Sequence, residues 1–281
     1  MRRMPVAMVA AGIAVATLAS NGWAAELSAA KIVEKNVAAR GGLDAWRKIE
    51  TMVWSGHMQS AHAQIPNMLF VMQQKRPNKT RFDINALGQK TVRVFDGVRG
   101  WKVKPNREGG PEITPYSTEE VAFAQAGQVI DGPLIDYAAK GNTVTLEGRD
   151  EVRGRKAYRL GVRLPAGESD HVWIDAQTFL DLRYDRPYSS AARSATVSVF
   201  YGNYKTVEGL QIPTLIETGA APGVTSDKLV IENILPNGPV DERSFVRPGT
   251  HERRGGMPMG GQGQPPARRA PIDPDPASGS K

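Results

Sequence analysis

Histidines, carboxylates and serines are the residue types from which this chain would have to build a catalytic or metal site. Its four histidines are His57, His62, His171 and His251. His57 and His62 would point to opposite faces of one strand, and the chain has no cysteine to complete a metal site. It also lacks a Gly-x-Ser-x-Gly elbow, a glycine-rich phosphate loop and a His-Glu-x-x-His motif. We therefore predict no metal, no cofactor and no catalytic residue.

The carboxylates keep one enzymatic alternative open. Asp170, Asp175, Asp181 and Asp185 alternate around predicted turns, where aspartate is expected for turn chemistry alone. Two carboxylates that meet only in space would still serve a hydrolase. An envelope hydrolase therefore remains an alternative, which requires two carboxylates to converge in a cleft.

The first 25 residues have the pattern of a secretory signal peptide. Arg2 and Arg3 give a basic start, residues 6–18 are apolar, and Gly22-Trp23-Ala24 offers a small-x-small cleavage site. The apolar run is too short to span a membrane. We expect a periplasmic protein whose folded domain covers residues 26–247.

Composition restricts the partners and the source of stability. Without cysteine there is neither a lipid-modified N-terminus nor a disulfide, so an apolar core must stabilise the fold. The formal charge of +7 suits an anionic envelope surface or is plain surface charge. Secretion and the lack of a dense Lys/Arg run argue against nucleic acid. Residues 248–281 are basic and rich in Pro and Gly, which predicts a disordered tail, either an electrostatic tether or merely solvated.

The remaining patterns predict helices followed mainly by strands. Ser28 can cap a helix whose apolar stripe includes Ile32 and Val33, and Gly41-Gly42 separates it from a short second helix. Alternating patterns then predict about eleven antiparallel strands. With a turn at 96–99, Val94 faces Trp101 and Val92 faces Val103. In a later meander, Val162 faces Val172, Leu160 faces Ile174, Ile174 faces Leu180, and Val172 faces Leu182.

Two strands have large apolar side chains on both faces. Met68, Phe70 and Met72 share one face of the second strand, with Leu69 and Val71 on the other. Such a strand is covered on both sides, or one side lines an internal space. Methionine suits a wall that adapts to a variable partner, but also ordinary core packing.

Two short helices are predicted between the meanders. Ser117-Thr118-Glu119-Glu120 is a capping box that begins a helix containing Val121 and Phe123. Gly132-Pro133 opens a second helix, residues 134–140, with Leu134 and Ile135. Because they cannot extend the sheet, they must lie across one face of it as a lid.

Two motifs resemble a known family. Lys75-Arg76-Pro77-Asn78 closes one strand, and Asp96-Gly97-x-x-x-Trp101-x-x-x-Pro105 crosses a later hairpin. The pair resembles the periplasmic lipoprotein carriers of the LolA type over about thirty residues. The resemblance implies an unclosed, strongly curved antiparallel half-barrel whose concave face is covered by helices. It also implies that Arg76 contacts the lid and holds the empty carrier closed, whereas the alternative is a surface arginine beside a turn.

The family resemblance implies a monomeric carrier or chaperone that shelters acyl chains in an apolar cavity. Its cargo would be lipid or lipoprotein, received from an inner-membrane donor and passed to an outer-membrane acceptor. The chain is longer than the compact carriers and has few large apolar lid residues, so free lipid and lipoprotein both remain open. A lipid-sensing regulator on the same scaffold is a further alternative. The predicted lipid-binding residues are Met68, Phe70, Met72, Val92, Val94, Trp101, Val103, Leu160, Val162, Val172, Ile174, Leu180 and Leu182.

Overall fold

The computed structural model describes residues 27–61, 63, 65, 67–127, 130–189, 194–219 and 227–249. The predicted signal peptide and nearly all of the predicted tail lie outside the described residues, as do His62 and His251. The described strands are β1 Thr51–Ser60, β2 Met68–Lys75, β3 Lys79–Ala86, β4 Gln89–Phe95, β5 Gly100–Pro105, β6 Pro111–Pro115, β7 Thr143–Val152, β8 Arg155–Arg163, β9 Ser169–Asp175, β10 Asp181–Ser189, β11 Ser194–Val207, β12 Leu210–Gly219 and β13 Asp227–Pro236.

These strands form one antiparallel sheet that does not close. Their order is β6-β5-β4-β3-β2-β1-β13-β12-β11-β10-β9-β8-β7, so the pairing of β1 with β13 joins the two halves. The mainly β, unclosed half-barrel is thereby confirmed, but with 13 strands rather than about eleven. The sequence analysis missed β6 because a proline stands at each end of it. Proline is tolerated there because β6 is an edge strand.

Two helices precede the sheet and pack against one of its faces. The α1 helix, Ala29–Ala39, is capped by the Ser28 side chain, and the α2 helix covers Leu43–Arg47. Both helices were predicted. Gly41 between them has φ 112°, and a Cβ there would lie 2.5 Å from the Gly209 carbonyl oxygen. This close approach fixes the turn between α1 and α2 against the β11–β12 hairpin.

The face that these helices cover is called the inner face. It holds two adjacent apolar clusters: Trp46, Met52, Trp54, Phe70 and Ile212 belong to the first, and Ile32, Leu160, Val162, Val172 and Ile174 to the second. The first cluster lies on β1, β2 and β12 and the second on β8 to β10. Together they give one apolar surface that runs across both halves of the sheet.

The β4–β5 hairpin has the predicted register but turns its apolar side outward. Val94 pairs with Trp101 and Val92 with Val103. Arg93 pairs with Phe82, which pairs with Met72, so the basic side of the hairpin shares the inner face. Val92, Val94, Trp101 and Val103 instead form an outer cluster with Phe245 of the 3₁₀ helix Glu242–Phe245. The prediction that one inner wall includes both Met72 and Val94 is therefore wrong, because strand pairing places them on opposite faces.

The second predicted meander keeps its face but shifts its register. Leu160 pairs with Val172, two residues from the prediction, and Val162 pairs with Asp170. Ile174 pairs with Asp181 rather than Leu180, because the register shifts between Asp181 and Arg183. This irregularity places Leu182 in an outer cluster with Val152, Ala157 and Trp173, so Leu182 does not face Val172.

The segment after α3 differs from its prediction. The α3 helix, Thr118–Gln125, begins with the predicted capping box of Ser117 and Glu120. Residues 130–141 form successive turns instead of a helix, and we call this segment the plug. Asp136 has φ 54°, which interrupts any helix across the plug. Its carboxylate meanwhile accepts hydrogen bonds from Arg47 Nε at 2.7 Å and Nη2 at 2.9 Å.

Candidate ligand-binding cavity

A cavity of about 180 Å³ lies between the inner face and the plug. Its apolar wall consists of side chains from α2, five strands and the plug. These are Trp46, Trp54, Met72, Ile130, Pro133, Leu134, Val172, Val199, Ile212, Pro213 and Ile216. A cavity of about 150 Å³ holds a benzene ring, and drug-sized sites begin near about 300 Å³. The cavity therefore accepts a small group or part of a chain, but not a whole acyl chain.

The rest of the wall is polar. Arg40 at the end of α1 donates from Nη1 to the Asp131 carbonyl oxygen at 2.9 Å and lies 3.3 Å from Asp181 Oδ2. The guanidinium group also stacks 4.7 Å from the Trp46 ring centroid. Only 9% of the Arg40 side chain is exposed. The helix turn at Gly41 thus places a buried cation in the cavity wall.

Two buried donors in this wall have no hydrogen-bond partner in the structure. They are Nε of Arg40 and Nε1 of Trp54. Trp54 is 7% exposed, and both residues line the cavity. Buried donors are normally satisfied, so each of these two atoms would gain from an acceptor.

Three tyrosines complete the polar wall: Tyr184, Tyr201 and Tyr204. Burial raises the pKa of all three hydroxyls well above the usual range, so they remain neutral donors. Tyr204 donates to the Asp181 carbonyl oxygen at 2.9 Å, and Tyr184 donates to the Asp170 carboxylate. The cavity is consequently amphipathic rather than uniformly apolar.

Asp131 in the plug connects the plug to the sheet. Its side chain, 5% exposed, accepts from Arg76 Nη2 at 2.7 Å and Lys140 Nζ at 2.6 Å. Arg76 also donates from Nε to the Ile49 carbonyl at 2.6 Å and from Nη2 to the Trp46 carbonyl at 3.1 Å. Burial lowers the pKa of Lys140, and Asp131 opposes that shift. Arg76 thus reaches both α2 and the plug.

The α3 helix contacts both halves of the sheet but buries none of its own side chains. Glu120 accepts from Lys102 Nζ at 2.8 Å on β5 and lies 3.7 Å from Arg93 on β4. On β10, Arg186 donates to the Phe123 carbonyl at 2.7 Å and stacks 3.9 Å from its ring centroid. Polar contacts therefore hold α3 across the inner side.

The predicted lipid-binding residues divide into three groups, with Leu180 outside all of them. Met72 and Val172 line the cavity, as does the predicted lid residue Leu134. On the same face but outside the cavity lining are Met68, Phe70, Leu160, Val162 and Ile174, together with Ile135 of the plug. On the outer face are Val92, Val94, Trp101, Val103 and Leu182. Leu180 lies in the loop between β9 and β10. Val121 and Phe123 are half-buried on α3 and border grooves beside it.

Sequence reasoning did not single out the polar wall. Arg40 lies 91 residues before Asp131 in the chain, and Arg40, Asp131 and Lys140 each have the sequence context of a surface residue beside a helix end or turn. The tyrosines sit in strands where alternation alone suits them to a core. Only the fold brings these side chains together.

Other polar groups show no comparable site. His57 contacts Glu232 at 2.8 Å and His171 contacts Glu147 at 3.4 Å, both partly exposed. Within the described part of the chain, no group of three or more His, Cys, Asp or Glu side chains is placed to hold a metal ion. Among the cavity-lining residues, Asp181 is the one carboxylate, and it faces Arg40. No helix in the described ranges is long and apolar enough to cross a membrane.

Comparison with known proteins gives structural similarities only. No protein-family model and no curated protein sequence matches the chain. Three solved structures are similar in fold. A DUF1329 family protein from Desulfovibrio piger has TM-score 0.48 and 13% identity, with 78% of this chain and 97% of that chain covered. A LolA superfamily protein from Nitrosomonas europaea has TM-score 0.47 and 14% identity, with 79% and 98% covered.

The third similar structure is an outer membrane lipoprotein-sorting protein domain from Vibrio parahaemolyticus. It has TM-score 0.48 and 12% identity, and the match covers 76% of this chain and 94% of that chain.

Proposed function

We propose that this protein is a monomeric periplasmic carrier that binds lipid acyl chains between its inner sheet face and the plug. The observation that carries the proposal is the partly unfilled, largely apolar cavity on that face. Each CH₂ removed from water is worth about 0.8 kcal/mol, so a chain of ordinary length gains about 10 kcal/mol from such a shelter. The Lys75-Arg76-Pro77-Asn78 motif supports the same proposal, because Arg76 contacts the plug.

The small cavity volume makes the described conformation the closed one. A whole acyl chain requires more than 180 Å³, so the plug or α3 must move before cargo enters. The Arg76–Asp131–Lys140 contacts hold the plug, and each charge-assisted hydrogen bond contributes about 1.5–3 kcal/mol. The apolar gain on binding is large enough to offset their loss. Binding energy of the cargo would thus drive opening.

We extend the proposal to the route of the cargo. A lipid or lipoprotein would come from an inner-membrane donor and go to an outer-membrane acceptor. The motif resemblance supports this route, and the signal-peptide pattern supports a periplasmic location.

Native mass spectrometry of the full chain, purified gently from its envelope, tests the carrier proposal. We expect one bound lipid per chain, together with saturable uptake of a fluorescent fatty acid by delipidated protein. Lipid-free protein that takes up no fatty acid would refute the proposal.

One feature favours the alternative of a lipid-sensing regulator that binds a membrane protein. Leu69 and Val71 on the outer face of β2 are 58% and 38% exposed, and Leu235 on β13 is 52% exposed. Exposed apolar groups of this kind suit a protein contact. A pull-down from envelope extract with the full chain and with Leu69→Ser separates the two roles. Capture of a membrane protein that Leu69→Ser abolishes supports the sensor, and lipid transfer between vesicles without capture supports the carrier.

A further inference from the structure

The cavity has features that a site for hydrocarbon alone does not need. A purely apolar chain would leave Arg40 Nε and Trp54 Nε1 without an acceptor. A buried donor without an acceptor destabilises the site. Both atoms belong to side chains that are at least nine-tenths buried. The wall therefore favours a ligand that brings hydrogen-bond acceptors with it.

The charges beside the cavity indicate the sign of that ligand. Three cations, Arg40, Arg76 and Lys140, meet two carboxylates, Asp131 and Asp181. Each cation faces a carboxylate, but Arg76 and Lys140 share Asp131, so the group carries one net positive charge. Burial lowers the pKa of Lys140 despite its contact with Asp131. Buried charge is costly unless it is balanced. An anion in the cavity would balance the group, whereas a cation would increase the imbalance.

Resting on the proposed carrier function, we propose that the cavity selects a single-chain amphiphile with a carboxylate head. Arg40 Nε and Trp54 Nε1 donate to the carboxylate oxygens. The alkyl chain runs along the apolar wall formed by Met72, Ile212 and Ile216. The described cavity holds the head and the first few carbons, and plug movement admits the remainder.

The neutral tyrosines are consistent with this head group. Tyr184, Tyr201 and Tyr204 line the same cavity and keep their protons, so they add no negative charge that would repel a carboxylate. Asp181 does carry a negative charge there, but Asn36 Nδ2 donates to it at 3.0 Å and Arg40 faces it. The carboxylate of the ligand would therefore meet Asp181, which Arg40 and Asn36 already contact, and the Nε donor of Arg40, which has no hydrogen-bond partner.

The test uses the delipidated full chain and three ligands with the same alkyl chain: dodecanoate, dodecanol and dodecyltrimethylammonium. The two ionic ligands are kept below their micelle concentrations, and dodecanol is kept below its solubility limit. Competition with a fluorescent fatty acid gives the relative affinities. We expect dodecanoate to bind at least about tenfold more tightly than dodecanol, and the ammonium compound to bind most weakly. Equal affinities would overturn the head-group proposal and leave the carrier function standing. Binding of none of the three would overturn both.

Two variants assign the selectivity to its donors. Trp54→Phe removes one donor with little change of shape, and Arg40→Lys removes Nε but keeps the charge. Each should reduce the preference for dodecanoate over dodecanol by about fivefold or more. The control is Trp101→Phe, which changes an indole in the outer cluster and should leave the preference unchanged. If Arg40→Lys fails to fold, the Trp54→Phe variant and the comparison of the three ligands still test the head-group proposal. A water molecule that satisfies the two donors would leave the preference unaltered in Trp54→Phe, which would also refute the proposal.

Discussion

At the scale of single residues, Asp131 contacts three cationic side chains near the cavity. Its carboxylate is shared by Arg76 and Lys140, while its backbone carbonyl accepts from Arg40. One residue of the plug therefore contacts cations from the end of α1, the end of β2 and the plug itself. Because all of these contacts are largely buried, removing the carboxylate leaves charges without a partner.

Asp131→Asn is expected to destabilise the fold and loosen the plug. Breaking a buried ion pair costs about 3–5 kcal/mol, which urea unfolding measures directly. Release of a bound fluorescent fatty acid should also become faster by about tenfold or more, since less energy holds the plug. The matched control is Asp136→Asn, which breaks the more exposed pair with Arg47 and should cost about 1 kcal/mol or less. Equal effects of the two variants would contradict a special role for Asp131.

The stability of the protein is expected to depend on pH through the buried side chain of Asp170. Burial raises its pKa, while the hydrogen bond from Tyr184 and the charge of Arg186 oppose the shift. Because the folded-state pKa lies above the unfolded value, the contribution of this group is full below pH about 4 and is lost as pH rises through the folded pKa.

Asp170→Asn keeps an acceptor for Tyr184 but cannot ionise. The Tm of the variant minus that of the natural chain should therefore increase between pH 4 and pH 7, as calorimetry would show. A difference that stays flat across this pH range would refute the prediction.

At the scale of secondary-structure elements, α3 and the plug are held in different ways. The plug buries Ile130, Leu134 and Ile135 and belongs to both inner clusters. The α3 helix buries no side chain and is held by Glu120, by Arg186 and by an edge contact between the half-buried Phe123 and Tyr188 rings. An element held by polar contacts opens at lower cost than one held by a core. We therefore expect α3 to open first.

Glu120→Gln should release α3 from β4 and β5. Burial disfavours the charge of Glu120, but the hydrogen bonds from Lys102 and the Ser117 amide prevail and lower its pKa, so the side chain is ionised at neutral pH. Amide hydrogen exchange of residues 118–125 should accelerate by about threefold to tenfold, while the plug amides keep their protection. Glu119→Gln removes the same charge from the same turn and serves as the control, because the hydrogen-bond partner of Glu119 is Ser117 at the helix start rather than a strand residue. Acceleration of the plug by the same factor would show that the two elements open together.

Phe245→Ala tests the outward orientation of the β4–β5 hairpin. Phe245 is 1% exposed and packs on Val92, Val94, Trp101 and Val103. Its truncation should cost about 3–5 kcal/mol in unfolding free energy. Fatty-acid affinity at a temperature well below Tm should not change, because the outer cluster contributes nothing to the cavity wall. A large loss of affinity would place this hairpin in the binding site after all.

The sequence predicted the pairing within the β4–β5 hairpin correctly but not which face of that hairpin points inward. The Val94–Trp101 register follows from the Asp96-Gly97 turn, and the Ser117–Glu120 capping box fixes the start of α3; both rest on neighbouring residues. Which face of β4 points inward depends instead on pairing across β2 and β3, which alternation within one hairpin does not determine. The plug was misread because Asp136 adopts a positive φ beside Arg47, a contact between distant segments.

At the scale of the whole molecule, the cavity depends on both halves of the open sheet. Trp54 and Met72 come from the half that ends in β6, whereas Val172 and Tyr184 come from the half that ends in β7. The plug and the two N-terminal helices lie against both halves. A change in the curvature of the sheet would therefore alter the cavity volume even without any change in its lining. A cavity whose volume changes with the curvature of the sheet is suited to a ligand that is larger than the cavity in the described conformation.

If binding uses this cavity, filling it should block binding. Val199 on β11 lines the cavity and is only partly buried, so Val199→Phe adds a ring to the unfilled space. Fatty-acid affinity should fall by about tenfold or more, while stability changes by about 1–3 kcal/mol at most, because the ring meets space rather than close-packed neighbours. Val71→Phe makes the same substitution on the outer face, where Val71 is 38% exposed, and should leave the affinity unchanged. Unaltered affinity in Val199→Phe, with the fold intact by circular dichroism, would move the binding site away from this cavity to the grooves beside α3.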